Sequence, residues 1–289
     1  MTIYNLGSIN IDHVYRLRAL PRPGETLLAR SYDRGLGGKG ANQSIAAARA
    51  GADVVHIGAM GMGDDWVPER LAAAGIEVSA ILRLPGEATG HAIILVDENG
   101  ENSIVLHGGA NLALPEDMAS RPAFARGDIL LMQNETNLQA RTAARARQAG
   151  ARVIYSAAPF SIGALREMLP HISILAVNGI EARDTFAAFG EELPVEGLLI
   201  TRGAEGAEFR DLRQGRVWHQ PAFPVRAVDT TGAGDCFAGW FAAGLARDET
   251  PQDALRHAAA AAALQVTRHG AGNAMPDRAE VAEFLKAHG

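Results

Sequence analysis

Short apolar runs alternate with amphipathic stretches along most of the chain. Ile3–Ile9 reads as a buried strand ending at Asn10, and Val54–Ala59, Ile129–Met132, Arg152–Ser156, Ile174–Val177 and Leu198–Thr201 repeat that character. Thr26–Tyr32 also has strand character. Between these runs, Ala41–Ala50, Trp66–Ala74, Leu138–Gln148 and Ile180–Phe189 read as helices, the first two closed by Gly51 and Gly75. The last third is helical, over Asp235–Ala246, Pro251–Thr267 and Asp277–Ala287. In the first of these, Phe237, Trp240, Phe241, Gly244 and Leu245 fall on one stripe. Strands alternating with helices predict an α/β fold, a mostly parallel central sheet with helices on both faces. Two segments break the alternation. His91–Val96 and Ser103–His107 flank Asp97-Glu98-Asn99-Gly100, a hairpin signal, and a second hairpin is predicted over Ala207–His219. The earlier hairpin fits the parallel sheet poorly and predicts a small appended β element.

At 289 residues the chain has room for one large α/β domain or two medium ones, and no repeat or low-complexity linker divides it. A formal charge of −6 and the absence of any long basic run argue against general affinity for nucleic acid or anionic membrane. The single cysteine, Cys236, cannot form an internal disulfide, which fits a reducing compartment. The N-terminal MTIYNLGSIN has neither a charged n-region nor a long apolar core, and no stretch has the length of a membrane span. The alanine-rich Ala258–Leu264 is read only as helix. A cytoplasmic protein is the expectation.

The candidate chemistry lies in Asp229-Thr230-Thr231-Gly232-Ala233-Gly234-Asp235, which opens a predicted helix. Glycines flanking an alanine allow a tight turn whose N–H groups point one way. At a helix N-terminus, such unsatisfied donors and the positive dipole end form an anion site. Phosphoryl transfer needs this, because its catalysis is largely positioning and electrostatic stabilisation of the transferring oxygens. Asp235 adds a carboxylate able to take a proton from an attacking hydroxyl. The plain structural alternative is a glycine turn with Asp235 as an N-cap.

Gly35-Leu36-Gly37-Gly38-Lys39-Gly40 has the G-x-G-x-x-G spacing of a dinucleotide-binding turn. It does not follow the first strand, and Asp53 begins the next strand where the ribose-binding acid would end it. Nor is it a P-loop, since Gly40 follows Lys39 in place of Ser or Thr.

Taken together these residues resemble the ribokinase family of carbohydrate and nucleoside kinases. The likeness runs in order through GSINID (7–12), PRPGET (21–26), GGKGAN (37–42), ATGHAIILVDENGENSIVLHGGAN (88–111), LLMQNE (130–135), Asn178–Glu181, ITRGAEG (200–206), DTTGAGD (229–235) and VTRHGA (266–271). The resemblance implies one domain over 1–289, with a discontinuous β lid at about 11–36 and 88–108, and ATP-dependent phosphorylation of a sugar. D-ribose at its 5-hydroxyl is the first choice, and another sugar or a nucleoside the alternative. It also implies roles for particular residues. Asn10, Asp12, Gly38, Lys39, Asn42 and Glu135 would contact the sugar; their plain alternatives are a turn pair, a solvated lysine and a water-facing carboxylate. Asn178 and Glu181 would hold Mg²⁺ and phosphates, unless they only cap a helix. Thr201, Gly203 and Gly206, with Gly234, would line the nucleotide. Gly232, Ala233, Gly234 and Asp235 would be the catalytic turn and base.

The resemblance further implies a monovalent cation, K⁺, at Asp229 and Thr231 with Gln265, Arg268 and Gly270 through backbone carbonyls. Ala274 stands where a serine oxygen is usual, and Asp229 alternatively braces the turn. Between Glu181 and Ile200 there is room for one helix, fewer than is usual, so adenine contacts are not assigned and His257 is read as a surface residue. A lid of this kind implies exclusion of water from the phosphoryl group and a homodimer paired through the lid.

Overall fold

The computed structural model describes residues 1–288. In chain order its strands are β1 Thr2–Leu6, β2 Asn10–Arg16, β3 Ser31–Gly37, β4 Asp53–Met60, β5 Ile76–Glu77, β6 Ile81–Arg83, β7 Gly90–Val96 and β8 Asn102–His107. There follow β9 Ile129–Gln133, β10 Arg152–Ser156, β11 Ile174–Asn178, β12 Gly197–Thr201, β13 Ala207–Asp211 and β14 Arg216–Gln220. The helices are α1 Lys39–Arg49, α2 Trp66–Ala73, α3 Gln139–Gln148, α4 Ile162–Met168, α5 Gly179–Phe189, α6 Ala233–Ala246, α7 Pro251–Val266 and α8 Arg278–His288.

The large sheet runs β14-β13-β12-β11-β10-β9-β1-β4-β5, with β6 also paired to β4. From β12 through β5 the pairing is parallel, and the hairpin β13–β14 adds an antiparallel edge. Side chains alternate between two separate cores, because a strand points successive residues to opposite faces. Ile129, Leu131, Ile154, Ile174 and Leu199 pack with α1, α6 and α7. Leu130, Met132, Val153, Leu175 and Leu198 pack on the other face with α3 and α4. The expected doubly covered sheet is therefore present.

A second, four-stranded sheet runs β3-β2-β7-β8. It is the lid, fastened to the body where the Thr89 hydroxyl donates to Asp64 Oδ2 (2.6 Å) and accepts from the Gly61 amide (3.0 Å). Two strand boundaries differ from the sequence expectation. The strand expected over Ile3–Ile9 stops at Leu6, and Asn10, expected to end it, instead opens β2. The third strand lies over Ser31–Gly37, not Thr26–Tyr32, so half of the glycine-rich segment is strand. Its residues are mostly exposed, and Leu28, counted among the apolar strand residues, is a 95% exposed loop residue. The helix Ile162–Met168 was not foreseen; the Ser161 side chain caps it by accepting from the Ala164 amide.

Candidate active site

The parallel strands end on one side of the sheet, and the candidate residues collect there, as expected of an open α/β sheet. β1 leads into Gly7–Asn10, β9 into Glu135, while Asn178 and Thr201 close β11 and β12. The N-terminus of α1 sits directly on the Gly7–Ser8 backbone. A Cβ on Gly40 would lie 2.3 Å from the Ser8 nitrogen, so only glycine allows that approach. The Ala41 amide donates to the Ser8 carbonyl at 2.9 Å. Helix α6 is preceded by its N-cap Gly232, whose φ of 79° is left-handed backbone suited to glycine. The start of α6 lies two residues earlier than expected. Asp235 is thus not the N-cap but the third residue of the helix, facing inward from its first turn.

Asp235 is buried, 8% exposed. Its Oδ2 accepts from Asn42 Nδ2 at 3.1 Å and its Oδ1 from Gln43 Nε2 at 3.0 Å. Burial raises its pKa above the ordinary carboxylate value, while the Lys39 charge and the two amide donors pull the other way. The balance leaves a carboxylate more basic than a surface aspartate. The Ala233 amide turns back to the Thr230 carbonyl at 3.2 Å. The next N–H groups of the first turn, on Gly234 and Asp235, have no acceptor one turn earlier in the helix.

Gln43 is held by a chain of buried amides that sequence reasoning missed. Gln133 Nε2 donates to Gln43 Oε1 (2.7 Å) and to Asn5 Oδ1 (3.0 Å). Asn5 Nδ2 donates in turn to the Gly40 carbonyl and the Ser44 hydroxyl, both at 2.8 Å. Ser44 Oγ lies 2.8 Å from His56 Nδ1, and burial lowers the pKa of that imidazole to about 4. His56 is therefore neutral near neutral pH. The one available sequence signal was position, since Gln43 directly follows GGKGAN.

The residues expected to touch sugar converge beside Asp235. Asn42 contacts it directly. Glu135 Oε2 accepts from the Lys39 amide at 3.1 Å and from the Ser8 hydroxyl. Asp12 lies across the strand pair from Gly35, and burial plus the neighbouring Glu135 charge push its pKa up to about 6. The Asn10 Oδ1 accepts from Asn111 Nδ2 at 2.8 Å; Asn111 also clasps the Ile9 amide and carbonyl, so it fixes Asn10. Gly38 is the N-cap of α1.

A cavity of about 230 Å³ joins Lys39, Asn178, Glu181, Thr201 and the Gly232–Asp235 turn. Asn178 and Glu181 form a capping box at the start of α5. The Glu181 Oε2 accepts from the Asn178 amide at 2.8 Å, and burial raises the Glu181 pKa. The cap alternative is realised, and the same two side chains line the cavity. A second cavity, of about 550 Å³, shares Thr201, Thr230, Ala233, Gly234 and Phe237 with the first. It contains Gly203 and Gly206 and is walled by Phe223, Val225, Ala259 and Ala263. The alanine-rich stretch of α7 is thus a cavity wall as well as a helix. His257 does not line it; its Nδ1 lies 2.9 Å from Glu249.

Asp229, Thr231, Gln265, Arg268 and Gly270 also come together, but not as an open ring of oxygens. Asp229 Oδ1 accepts from the Thr231 amide and Oδ2 from the Gly270 amide, both at 2.9 Å. Burial would raise the Asp229 pKa, yet these bonds outweigh it and hold the carboxyl below its ordinary value. The Gln265 carbonyl accepts from the Arg268 amide at 3.0 Å. The Gln265 side chain, expected to take no part, reaches between two of the carbonyls, donating to Thr231 O at 2.7 Å and Gly270 O at 3.0 Å. Ala274 presents only a buried methyl group. These residues do not fit a cation as they stand.

A helix start with free amides, a buried carboxylate and two joined cavities are the parts that phosphoryl transfer calls for. The chain belongs to the pfkB family of carbohydrate kinases, whose signature it matches over residues 2–278, and is a phosphotransferase acting on a sugar hydroxyl. It is 38% identical to the ribokinase of Haemophilus influenzae, over 99% of this chain and 98% of that protein. It is 30% identical to the deoxyribokinase of Salmonella typhi, over 99% of each. The structure of Arabidopsis thaliana ribokinase complexed with ribose and ATP matches with a TM-score of 0.88 at 30% identity, covering 99% of this chain and 98% of that one.

Proposed function

We propose that this protein transfers the γ-phosphoryl group of ATP to the 5-hydroxyl of D-ribose, with Asp235 as general base. The observation that carries the reading is the placement of Asp235. It is a buried carboxylate at a helix start, held by Asn42 on the sugar side and open to the phosphate cavity on the other. The sugar lies against Asn10, Asp12, Gly38, Lys39, Asn42 and Glu135, whose polar groups suit several hydroxyls at once. Asp235 takes the proton of the acceptor hydroxyl, and that oxygen bonds to the γ-phosphorus. The bond from the γ-phosphorus to the bridging oxygen breaks, and ADP leaves. The turn offers its Gly234 amide, uncommitted within the helix, and the Gly232 amide to the transferring oxygens, while the Ala233 amide is spent on the Thr230 carbonyl and shapes the turn. Lys39, at the mouth of the same cavity, adds positive charge.

The nucleotide runs from Asn178 and Glu181 past Thr201 to Gly203 and Gly206, with its base in the larger, apolar cavity. Mg²⁺ would arrive with the phosphates and be held by Asn178 and Glu181, whose second carboxylate oxygen is outside the capping box. When bound, Mg²⁺ supplies charge neutralisation on the phosphates.

The chain forms one domain, with the β3-β2-β7-β8 sheet as a lid that closes over the sugar. Ile104, Val105 and Leu106 on the edge strand β8 are 52%, 63% and 57% exposed, and a second copy covering them would make a lid-to-lid homodimer. A monomer in sedimentation would exclude that pairing. No helix among the described residues is long and apolar enough to cross a membrane. ATP as donor and a single buried cysteine support a cytoplasmic setting.

A substrate panel with coupled ADP detection tests the acceptor. Ribose should give the highest kcat/KM; turnover of 2-deoxyribose, fructose or adenosine equal to or above it would reject ribose as the substrate.

A further inference from the structure

Two backbone carbonyls, those of Thr231 and Gly270, converge on one point beside the catalytic turn. The group found there is the side-chain nitrogen of Gln265, at 2.7 and 3.0 Å. Gln265 sits in the last turn of α7 and is fully buried. Its primary amide carries two N–H donors, one for each carbonyl. The opposite amide orientation would set an oxygen against two carbonyl oxygens, so the donor assignment is fixed by chemistry. The amide oxygen that remains has no hydrogen-bond partner among the described residues. The orientation is thus kept at the expense of a buried acceptor.

The neighbouring groups are equally committed. Both Asp229 oxygens accept backbone amides, the Gln265 carbonyl accepts the Arg268 amide, and the Arg268 guanidinium is drawn outward to Glu280 at 2.6 Å. At Ala274 no side-chain oxygen exists. Two independent features, an added donor at 265 and a missing oxygen at 274, therefore point the same way. The clasp also has a mechanical target. A Cβ placed on Gly232 would lie 2.8 Å from Ala271 Cβ, so the loop carrying Gly270 is packed against the N-cap of α6.

We infer that the tethered amide of Gln265 replaces the monovalent cation of this family, locking the Thr231–Gly232 turn to the 268–272 loop so that the enzyme works at full rate without K⁺. Gln265 is a positioning residue here: it touches neither substrate and acts through the backbone that leads into the anion site. Because it is covalently attached, the group is always in place, whereas a bound ion must be captured from solution.

The test compares ribose phosphorylation by MgATP in choline chloride and in potassium chloride at equal ionic strength. The wild-type protein should show the same kcat in both, and its thermal midpoint should be the same in both. Gln265→Ala should lose about 10²-fold in kcat in choline, the scale of a 1 Å misplacement of catalytic groups. Added K⁺ should restore much of that rate and raise the thermal midpoint of the variant. The double change Gln265→Ala with Ala274→Ser, which returns an oxygen to the site, should respond at lower K⁺. A wild-type enzyme that needs K⁺, or that is thermally stabilised by K⁺ over choline, would overturn the inference. So would a Gln265→Ala enzyme as fast in choline as the wild type, or a folded double variant that K⁺ does not rescue. Failure of the ribose reading would look different: no turnover of ribose in either salt, with the melting comparison still deciding the role of Gln265.

Discussion

Replacing Asp235 by Asn tests its proposed role as base apart from its role in the fold, and the hydrogen bonds set what to expect. In the wild type both carboxylate oxygens receive amide donors, from Asn42 and Gln43. An asparagine at 235 offers one acceptor and one donor group, so one neighbour must turn over. Gln43 is pinned, because its oxygen accepts from Gln133 at 2.7 Å. Asn42 is free to flip, because its own Oδ1 is buried with no hydrogen-bond partner among the described residues. After the flip the Asn42 oxygen accepts from the new amide at 235, its nitrogen takes the place of an oxygen that already lacked a partner, and a buried charge has been removed. Stability should therefore change by less than about 1 kcal/mol, the scale of one ordinary hydrogen bond. Catalysis should not survive: loss of a general base costs about 10²–10⁴ in kcat, or about 2.7–5.4 kcal/mol of barrier at about 1.36 kcal/mol per decade. Coupled ADP release gives kcat, calorimetry gives ribose affinity, and a thermal scan checks the fold. Ribose binding should stay within about tenfold of wild type. A folded variant that keeps more than a tenth of wild-type kcat would refute the assignment of Asp235 as base.

Other consequences are open to the same assays. Gln43→Leu removes a bond that favours the ionised base, so the acid limb of kcat against pH should move to higher pH; an unmoved limb would deny Gln43 any hold on Asp235. Asp12 has its pKa raised to about 6 by burial and Glu135, so its charge is present above that pH and lost as pH falls through it. The KM for ribose should accordingly rise on acidification through about pH 6, and Asp12→Asn should abolish that dependence while raising KM throughout; a KM flat with pH in the wild type would contradict it. Gly40→Ala puts a methyl group 2.3 Å from the Ser8 nitrogen and should cost about 1–3 kcal/mol in denaturant unfolding by overpacking; wild-type stability would mean that the helix start is looser than described.

Much of this could be read from the chain. The buried strands β4, β9, β10, β11 and β12 and the helices between them were legible because a sheet covered on both sides needs nearly continuous apolar runs. The lid strand β3 was not, because Ser31–Gly37 is mostly exposed and carries no period-two apolar signal, while Thr26–Leu28 looks like strand and is loop. The stop of β1 at Leu6, short of the expected Ile9, was hidden for a related reason. Past Leu6 the Gly7–Ser8 backbone receives the start of α1, with the Ala41 amide on the Ser8 carbonyl at 2.9 Å, a tertiary contact that no local pattern encodes. At the site, the glycine turn and Asp235 were readable from spacing, though its place within the helix was not. The amide chain Gln43–Gln133–Asn5 was invisible, since it joins residues from three elements far apart in sequence. The same holds for Gln265, whose side chain crosses to a loop 34 residues away.

The seat of α1 on the Gly7–Ser8 backbone has a bearing on how this enzyme can diverge. One rigid junction fixes the end of the first strand, the start of that helix and, through two consecutive amides, the Asp235 carboxylate on α6, the base proposed above. A change in acceptor preference that moved this junction would disturb proton abstraction along with sugar binding. New specificities are therefore easier to reach from the lid strands, which hold Asn10 and Asp12 on a separate sheet, than from the floor of the pocket.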